Sequence, residues 1–128
     1  MKKHLLTAVI FLITNIFAQV PPIESLKVAE GIYMIRSNSK IGNPSSVISI
    51  GKDGVLMIDA NLVESTPFIR KELLNMGKDK VDLLINTHVH ADHTEGNMIF
   101  GSEAIIISSP NLKAKLINEG LYDKEGII

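Results

Sequence analysis

The chain has 128 residues and a formal net charge of −1, and it contains no cysteine. The length allows one small domain, and the mild acidity offers no basic surface, which argues against nucleic acid as a partner. The absence of cysteine excludes disulfide bonds, thiolate metal ligands and a lipid anchor attached to cysteine.

The first predicted element is an export signal. Residues 1–19 read MKKHLLTAVIFLITNIFAQ, in which two lysines precede a mostly apolar run from Leu5 to Ala18. This run is shorter than the roughly 20 apolar residues of a membrane-spanning helix. The basic start, apolar middle and small residue are typical of a secretory signal peptide. We therefore predict a signal peptide over residues 1–18 cleaved after Ala18, a mature domain over 19–128, no stable membrane anchor, and a periplasmic or secreted protein; the alternative is an uncleaved anchor.

Two segments with apolar alternation follow. SLKVAEGIYMIRS, residues 25–37, predicts two short strands or one bent strand, because Glu30 and Gly31 form a turn signal inside it. VISIGKDGVLMIDA, residues 47–60, predicts a hairpin, because two apolar runs flank the turn at residues 51–54.

The next elements alternate between helix and strand. ESTPFIRKELLNMG, residues 64–77, predicts a helix with Ser65 or Thr66 as its cap and an apolar side formed by Phe68, Leu73, Leu74 and Met76. VDLLINT at 81–87 and AIIIS at 104–108 predict buried strands, and SPNLKAKLINEG at 109–120 predicts a second helix. This order indicates an α/β fold in which helices cover a sheet.

The stretch NTHVHADHTEGN, residues 86–97, contains three histidines and one aspartate within six positions. A single histidine is usually structural or solvated, but all histidines of the predicted mature chain lie in this stretch. In an extended segment, His88, His90 and Asp92 would project to the same side, and a turn would bring His93 round. Imidazole and carboxylate ligands without thiolate predict a metal site that favours zinc, and less so iron or manganese.

The residues THVHADH followed by TEGN resemble the His-x-His-x-Asp-His signature of the metallo-β-lactamase fold superfamily. DGVLMIDA resembles the strand that ends in an aspartate in this family, and VAEGIYMIR resembles its opening strands. The resemblance covers the chain from about residue 26 onward. It implies the N-terminal half of a four-layer αββα sandwich.

The resemblance also implies residue roles. His88 and His90 would bind a first metal, Asp92 and His93 would bind a second, and Asp59 would support the metal loop from below. Asp92 would also act in catalysis by orienting the nucleophile. Histidine rather than arginine at position 93 is similar to the glyoxalase-type hydrolases and to the β-lactamases that share their signature. We expect Glu95 to be a solvated loop carboxylate.

The implied activity is hydrolysis of a small-molecule substrate by a metal-bound hydroxide, with one or two zinc ions as cofactor. The substrate classes left open are β-lactams, thioesters, phosphate esters and sulfate esters. The fold alone does not choose between them.

The ligand set is incomplete for this activity. The second half of the family fold supplies further ligands, whereas no histidine follows His93. We therefore expect a fragment of a longer hydrolase, with an apolar sheet face left uncovered at Leu83, Ile85, Ile105 and Ile107. Such a face favours a homodimer. The alternatives are a non-catalytic product that at most binds zinc, and a site that is completed by dimerisation.

Overall fold

The structure, a computed structural model, describes residues 22–40 and 42–120. The predicted signal peptide, residues 1–18, and its cleavage point lie outside these residues. No helix within the described ranges is long and apolar enough to cross a membrane.

One mixed sheet forms the centre of the fold. In the described part of the chain, its six strands lie in sequence order, so that each strand pairs with the strand that precedes or follows it in the chain. The first four strands pair antiparallel, and the last two join them in parallel. The strands are β1 (Ile23–Ala29), β2 (Ile32–Ser37), β3 (Ser45–Gly51), β4 (Gly54–Ile58), β5 (Leu83–Ile85) and β6 (Ile105–Ile107).

The first N-terminal segment forms two strands, the first of the two predicted alternatives, and the predicted hairpin of β3 and β4 is confirmed. The turn between β1 and β2 contains Gly31, which has a φ of +70°, and a Cβ at this position would lie 2.6 Å from the carbonyl oxygen of Ile50. Only glycine fits such a left-handed position against another backbone. The hairpin of β3 and β4 pairs Ile48 with Met57 across the strands.

Within residues 22–40 and 42–120, four helices and one short 3₁₀ turn connect or cover the strands. They are the 3₁₀ turn Val63–Ser65, α1 (Thr66–Asn75), α2 (Ala91–Thr94), α3 (Asn97–Phe100) and α4 (Pro110–Asn118). α1 and α4 are the two predicted helices, and the Ser109 hydroxyl caps α4 by accepting a hydrogen bond from the Leu112 N–H at 3.2 Å. By contrast, the Ser65 side chain makes no capping hydrogen bond at α1.

The predicted apolar side of α1 is wrong in part. Ile69 and Leu73 are fully buried, whereas Phe68 and Leu74 are 41% and 57% exposed. Ile69 and Leu73 are four residues apart and therefore lie on one face of the helix. That face packs on the sheet, because both residues belong to the same core cluster as Met57 and Leu84.

The core lies between the helices and one face of the sheet. Met57, Leu84 and Ile106 occupy matched positions on β4, β5 and β6 and are fully buried. Leu112 and Leu116 of α4 pack in the same cluster. Burial of each such side chain stabilises the fold by about 1.5–3 kcal/mol. Strands β4 to β6 are therefore well anchored in the core, and so are the residues that follow them.

The opposite face of the parallel strands is open, as the sequence predicted. Leu83, Ile105 and Ile107 are 38%, 49% and 37% exposed, and Ile85 is partly buried. The strands predicted as buried are therefore buried on one face only. Dimerisation through the open face stays a prediction.

Candidate metal centre

The predicted metal ligands lie at the carboxyl end of the parallel strands. β4 and β5 pair in parallel, so that Ile58 lies opposite Ile85. Asp59 follows β4 directly, and the histidine-rich segment at residues 86–97, called here the metal loop, follows β5. Carboxyl ends of parallel strands are the usual location of sites in α/β folds.

The conformation of the metal loop differs from the extended segment that the sequence predicted. His88 lies in a bend, and the first turn of α2 begins after His90. Asp92 and His93 therefore lie on a helix, so the predicted alternation of His88, His90 and Asp92 in one extended segment is wrong. The turn that was expected to bring His93 round is α2 itself.

The structure nevertheless brings all four predicted ligands together. The ring centroids of His88 and His90 are 4.7 Å apart, and those of His88 and His93 are 4.0 Å apart. An Asp92 carboxylate oxygen, Oδ2, lies 3.4 Å from His93 Nε2. The metal loop thus gathers three imidazoles and one carboxylate, which are donor types that metal ions accept.

Asp59 lies beneath the loop and is 5% exposed. Its Oδ1 accepts a hydrogen bond from the Thr87 N–H at 2.8 Å, and its Oδ2 accepts one from the Thr87 hydroxyl at 2.7 Å. Oδ2 also lies 2.8 Å from His93 Nδ1. An ionised carboxylate only accepts hydrogen bonds, so His93 Nδ1 carries a proton and donates a hydrogen bond to Asp59 Oδ2.

A different set of three side chains, which includes Asp59, is also close enough together to hold a metal ion. One ligand atom from each of Asp59, His88 and His93 lies within 4.8 Å of the other two. However, Asp59 already accepts three hydrogen bonds from Thr87 and His93. A metal at Asp59 would displace these donors, so the contacts favour support of the loop over direct ligation.

The segment after Asp59 is joined to the metal loop by backbone contacts. The Ala60 N–H donates to the His93 carbonyl at 2.8 Å, and the Gly96 N–H donates to the Asn61 carbonyl at 3.0 Å. Asp59 and Asn61 have positive φ values of 60° and 65°, a conformation that aspartate and asparagine tolerate better than most residues. A Cβ on Gly96 would collide with the carbonyl oxygen of Ala60.

Sequence reasoning missed a buried amide pair under the metal loop. Asn86 is 3% exposed and Asn97 is fully buried. The Asn86 amide donates to Asn97 Oδ1 at 3.1 Å, and the Asn97 amide donates to Asn86 Oδ1 at 2.8 Å. The Asn86 amide also donates to the His93 carbonyl at 3.3 Å. In the sequence, the only sign of this pair is that asparagines begin and end the segment NTHVHADHTEGN.

Glu95 does not reach the histidines and is not simply solvated. Its carboxylate accepts a hydrogen bond from the Val63 N–H at 3.3 Å, which ties the end of α2 to the 3₁₀ turn. Glu95 also borders a cleft of about 540 Å³ beside the metal loop. The other residues that line this cleft are Asn38, Ser39, Lys40, Leu62 and Glu64.

Comparison with known proteins agrees with this arrangement. Residues 41–112, more than half of the chain, match the family model of the metallo-beta-lactamase superfamily. The chain belongs to the metallo-beta-lactamase superfamily. Among curated proteins, no significant match was found.

Solved metallo-beta-lactamases share its fold. The enzyme from Hirschia baltica is 19% identical, with a TM-score of 0.68 over 84% of this chain and 52% of that one. A mutant of the enzyme from Cronobacter sakazakii is 26% identical, with a TM-score of 0.67 over 77% and 39%. FIM-1 from Pseudomonas aeruginosa, in a mono-zinc form, is 17% identical, with a TM-score of 0.68 over 84% and 50%.

These matches confirm the predicted fold class, an α/β domain with the architecture of the N-terminal part of a metallo-beta-lactamase. The chain spans about half the length of the solved relatives from Hirschia baltica and Pseudomonas aeruginosa. Metallo-beta-lactamase membership and the cluster of candidate ligands together indicate a metal-binding protein.

Proposed function

We propose that this protein is an exported, zinc-dependent hydrolase of small molecules, to which the described chain contributes one half of the metal site. The observation that supports it best is the convergence of His88, His90, Asp92 and His93 at the carboxyl end of β5. Export rests on the predicted signal peptide, residues 1–18. The zinc assignment rests on the imidazole and carboxylate donor set.

In this proposal, His88 and His90 hold a first zinc ion, and Asp92 and His93 hold a second. Zinc, when bound, is a Lewis acid that makes hydroxide available from water near neutral pH. Asp92 binds metal and orients the attacking water towards the substrate. Asp59 holds the His93 ring through Nδ1, so that Nε2, the nitrogen nearer Asp92, is free to ligate.

Each ligand pair is one short of the three protein ligands that a catalytic zinc ordinarily has. The sequence has no histidine after His93. We propose that the further ligands are supplied by additional polypeptide of the kind that the longer solved relatives contain. The open sheet face at Leu83, Ile105 and Ile107 offers a second source, namely another copy of this chain.

Zinc binding tests the ligand assignment. The His88→Ala variant should lose tight zinc binding in equilibrium dialysis, while Lys71→Ala, which alters an exposed residue of α1, should bind zinc as the unaltered protein does. Retention of stoichiometric zinc by His88→Ala would show that the ligand assignment is wrong.

The intact mass of the exported protein tests the source of the remaining ligands. A mass well above that of residues 19–128, together with zinc-dependent hydrolysis of a β-lactam, thioester, phosphate ester or sulfate ester, supports the proposal. If the mass equals residues 19–128, hydrolysis per chain that rises with protein concentration supports a site between two copies. A protein of that mass without zinc-dependent hydrolysis at any concentration would contradict the hydrolase proposal.

A further inference from the structure

Thr87 lies between the supporting carboxylate and the first histidine of the metal loop. Its hydroxyl oxygen is 2.7 Å from Asp59 Oδ2 and 2.9 Å from His88 Nδ1. Its backbone N–H also donates to Asp59 Oδ1 at 2.8 Å. Both carboxylate oxygens of Asp59 therefore accept hydrogen bonds from Thr87, and these bonds fix the position of the Thr87 hydroxyl.

These contacts determine the direction of each hydrogen bond. A threonine hydroxyl has one proton to donate and two lone pairs that accept, whereas an ionised carboxylate has none to donate. The single proton of Thr87 therefore goes to Asp59 Oδ2, and towards His88 Nδ1 the same oxygen only accepts. For the 2.9 Å contact to be a hydrogen bond, His88 must carry its proton on Nδ1.

The same carboxylate selects the same tautomer at His93. Asp59 Oδ2 accepts directly from His93 Nδ1, and it acts on His88 through the Thr87 hydroxyl. In its neutral form, each of the two imidazoles then has a free lone pair on Nε2. A neutral imidazole whose second nitrogen donates to a carboxylate or a hydroxyl is fixed in tautomer and in ring orientation.

We propose that Thr87 is a positioning residue whose hydroxyl links Asp59 to His88 through two hydrogen bonds, called here the relay. The relay holds His88 as the Nδ1–H tautomer, with Nε2 presented to metal. The tautomer follows from the contacts of Asp59, Thr87 and His88 alone. Its use for zinc binding rests on the proposed function.

The first test is the tautomer itself. We would record ¹⁵N chemical shifts of the histidine rings in the metal-free full chain. The pH would be about two units above the ordinary histidine pKa of about 6.5. The unaltered protein and Thr87→Ser, which keeps a hydroxyl, should show His88 protonated on Nδ1. Thr87→Val keeps the shape and the backbone N–H but removes the hydroxyl, so His88 should move to the Nε2–H form while His93 stays unchanged.

The second test is zinc affinity, measured by competition with a chelating dye. Loss of a group that orients a metal ligand typically weakens binding by about 10-fold to 100-fold. Thr87→Val should therefore bind zinc about tenfold more weakly, and Thr87→Ser should stay within about threefold of the unaltered protein.

The outcomes separate the inference from the proposed function. His88 protonated on Nε2 in the unaltered protein, or on Nδ1 in Thr87→Val, would overturn the relay. Equal zinc affinity of Thr87→Val and the unaltered protein would overturn its positioning role. If no variant binds zinc but the tautomers behave as expected, the relay stands and the proposed metal function fails.

Discussion

The amide pair of Asn86 and Asn97 yields a quantitative prediction for stability. In Asn97→Leu, the apolar side chain is close to asparagine in size, and it removes both hydrogen bonds of the pair, at 2.8 and 3.1 Å. Among the described residues, the Asn86 side chain then keeps only its hydrogen bond to the His93 carbonyl at 3.3 Å. Its Oδ1 is left without a donor among the described residues, in a site where Asn86 is 3% exposed.

The expected cost follows from the groups left unpaired. Each buried polar group that loses its partner costs about 1–3 kcal/mol. One unpaired oxygen and one weakened amide of Asn86 give about 3 kcal/mol, and the added apolar burial of leucine offsets about 1 kcal/mol. Asn97→Leu should therefore lower the free energy of unfolding by about 2 kcal/mol, a large part of the 5–15 kcal/mol that is typical of a domain.

A double-mutant cycle measured by urea unfolding of the metal-free protein checks this reasoning. Asn86→Leu should cost at least as much as Asn97→Leu, but the double variant should cost less than the sum by about 2 kcal/mol, because it leaves neither amide unpaired. Asn75→Leu, on the exposed side of α1, should change stability by about 0.5 kcal/mol or less. Additive effects of the two substitutions would refute the reasoning.

Two further predictions concern other polar groups. Ser37 Oγ is buried without a hydrogen-bond partner among the described residues, so Ser37→Ala should raise the free energy of unfolding by about 1 kcal/mol. By contrast, Ser46→Ala should lower the free energy of unfolding, because it removes one of the two acceptors of the Asn61 amide, at 3.2 Å. The hydrogen bond from Lys80 holds the pKa of Asp82 below its ordinary value of 3.8. The stabilisation from Asp82 is therefore complete above pH 3.8 and is lost as the pH falls through the lower pKa of the folded state. Circular dichroism during acid titration should show this loss in the unaltered protein but not in Asp82→Asn.

Features that depend on local sequence were predicted well. Alternation and turn residues located β1 to β4, and the serine, proline and glycine at residues 109–120 located α4. The four metal-loop residues and Asp59 were assigned by resemblance to a short family signature, and their roles as metal ligands and support stay predictions; the structure does place Asp59 in contact with Thr87 and His93. Such features need only the order of residues within one segment, which the sequence states directly.

The face of α1 was predicted poorly for a physical reason. Four apolar residues of α1 and its C-cap were assigned to one side, yet Phe68 and Leu74 are exposed and Ile69 is fully buried. α1 has more apolar residues than its contact with the sheet can cover. Which of them is buried depends on how the helix docks on the sheet, and that angle is set by partners distant in sequence.

The supports of the metal loop were missed for a related reason. Asn61 contacts Pro44 and Ser46, Asn86 contacts Asn97, and Thr87 contacts Asp59 across 28 positions of sequence. Asparagine and threonine in loops ordinarily indicate turns, so their types alone predict no long-range partner. Only the parallel pairing of β4 and β5 brings the Asp59 segment beside the metal loop.

The same pairing of β4 and β5 leaves no room for a side chain at position 96 of the metal loop. The loop is held by two backbone hydrogen bonds to the segment after β4, one from Ala60 and one to Asn61. These bonds require the two backbones to approach so closely that a Cβ at position 96 would collide with the Ala60 carbonyl. The glycine thus permits the contact, and the contact places His93 above Asp59. The position of the ligands is therefore a property of two strand ends held together rather than of the histidine segment alone.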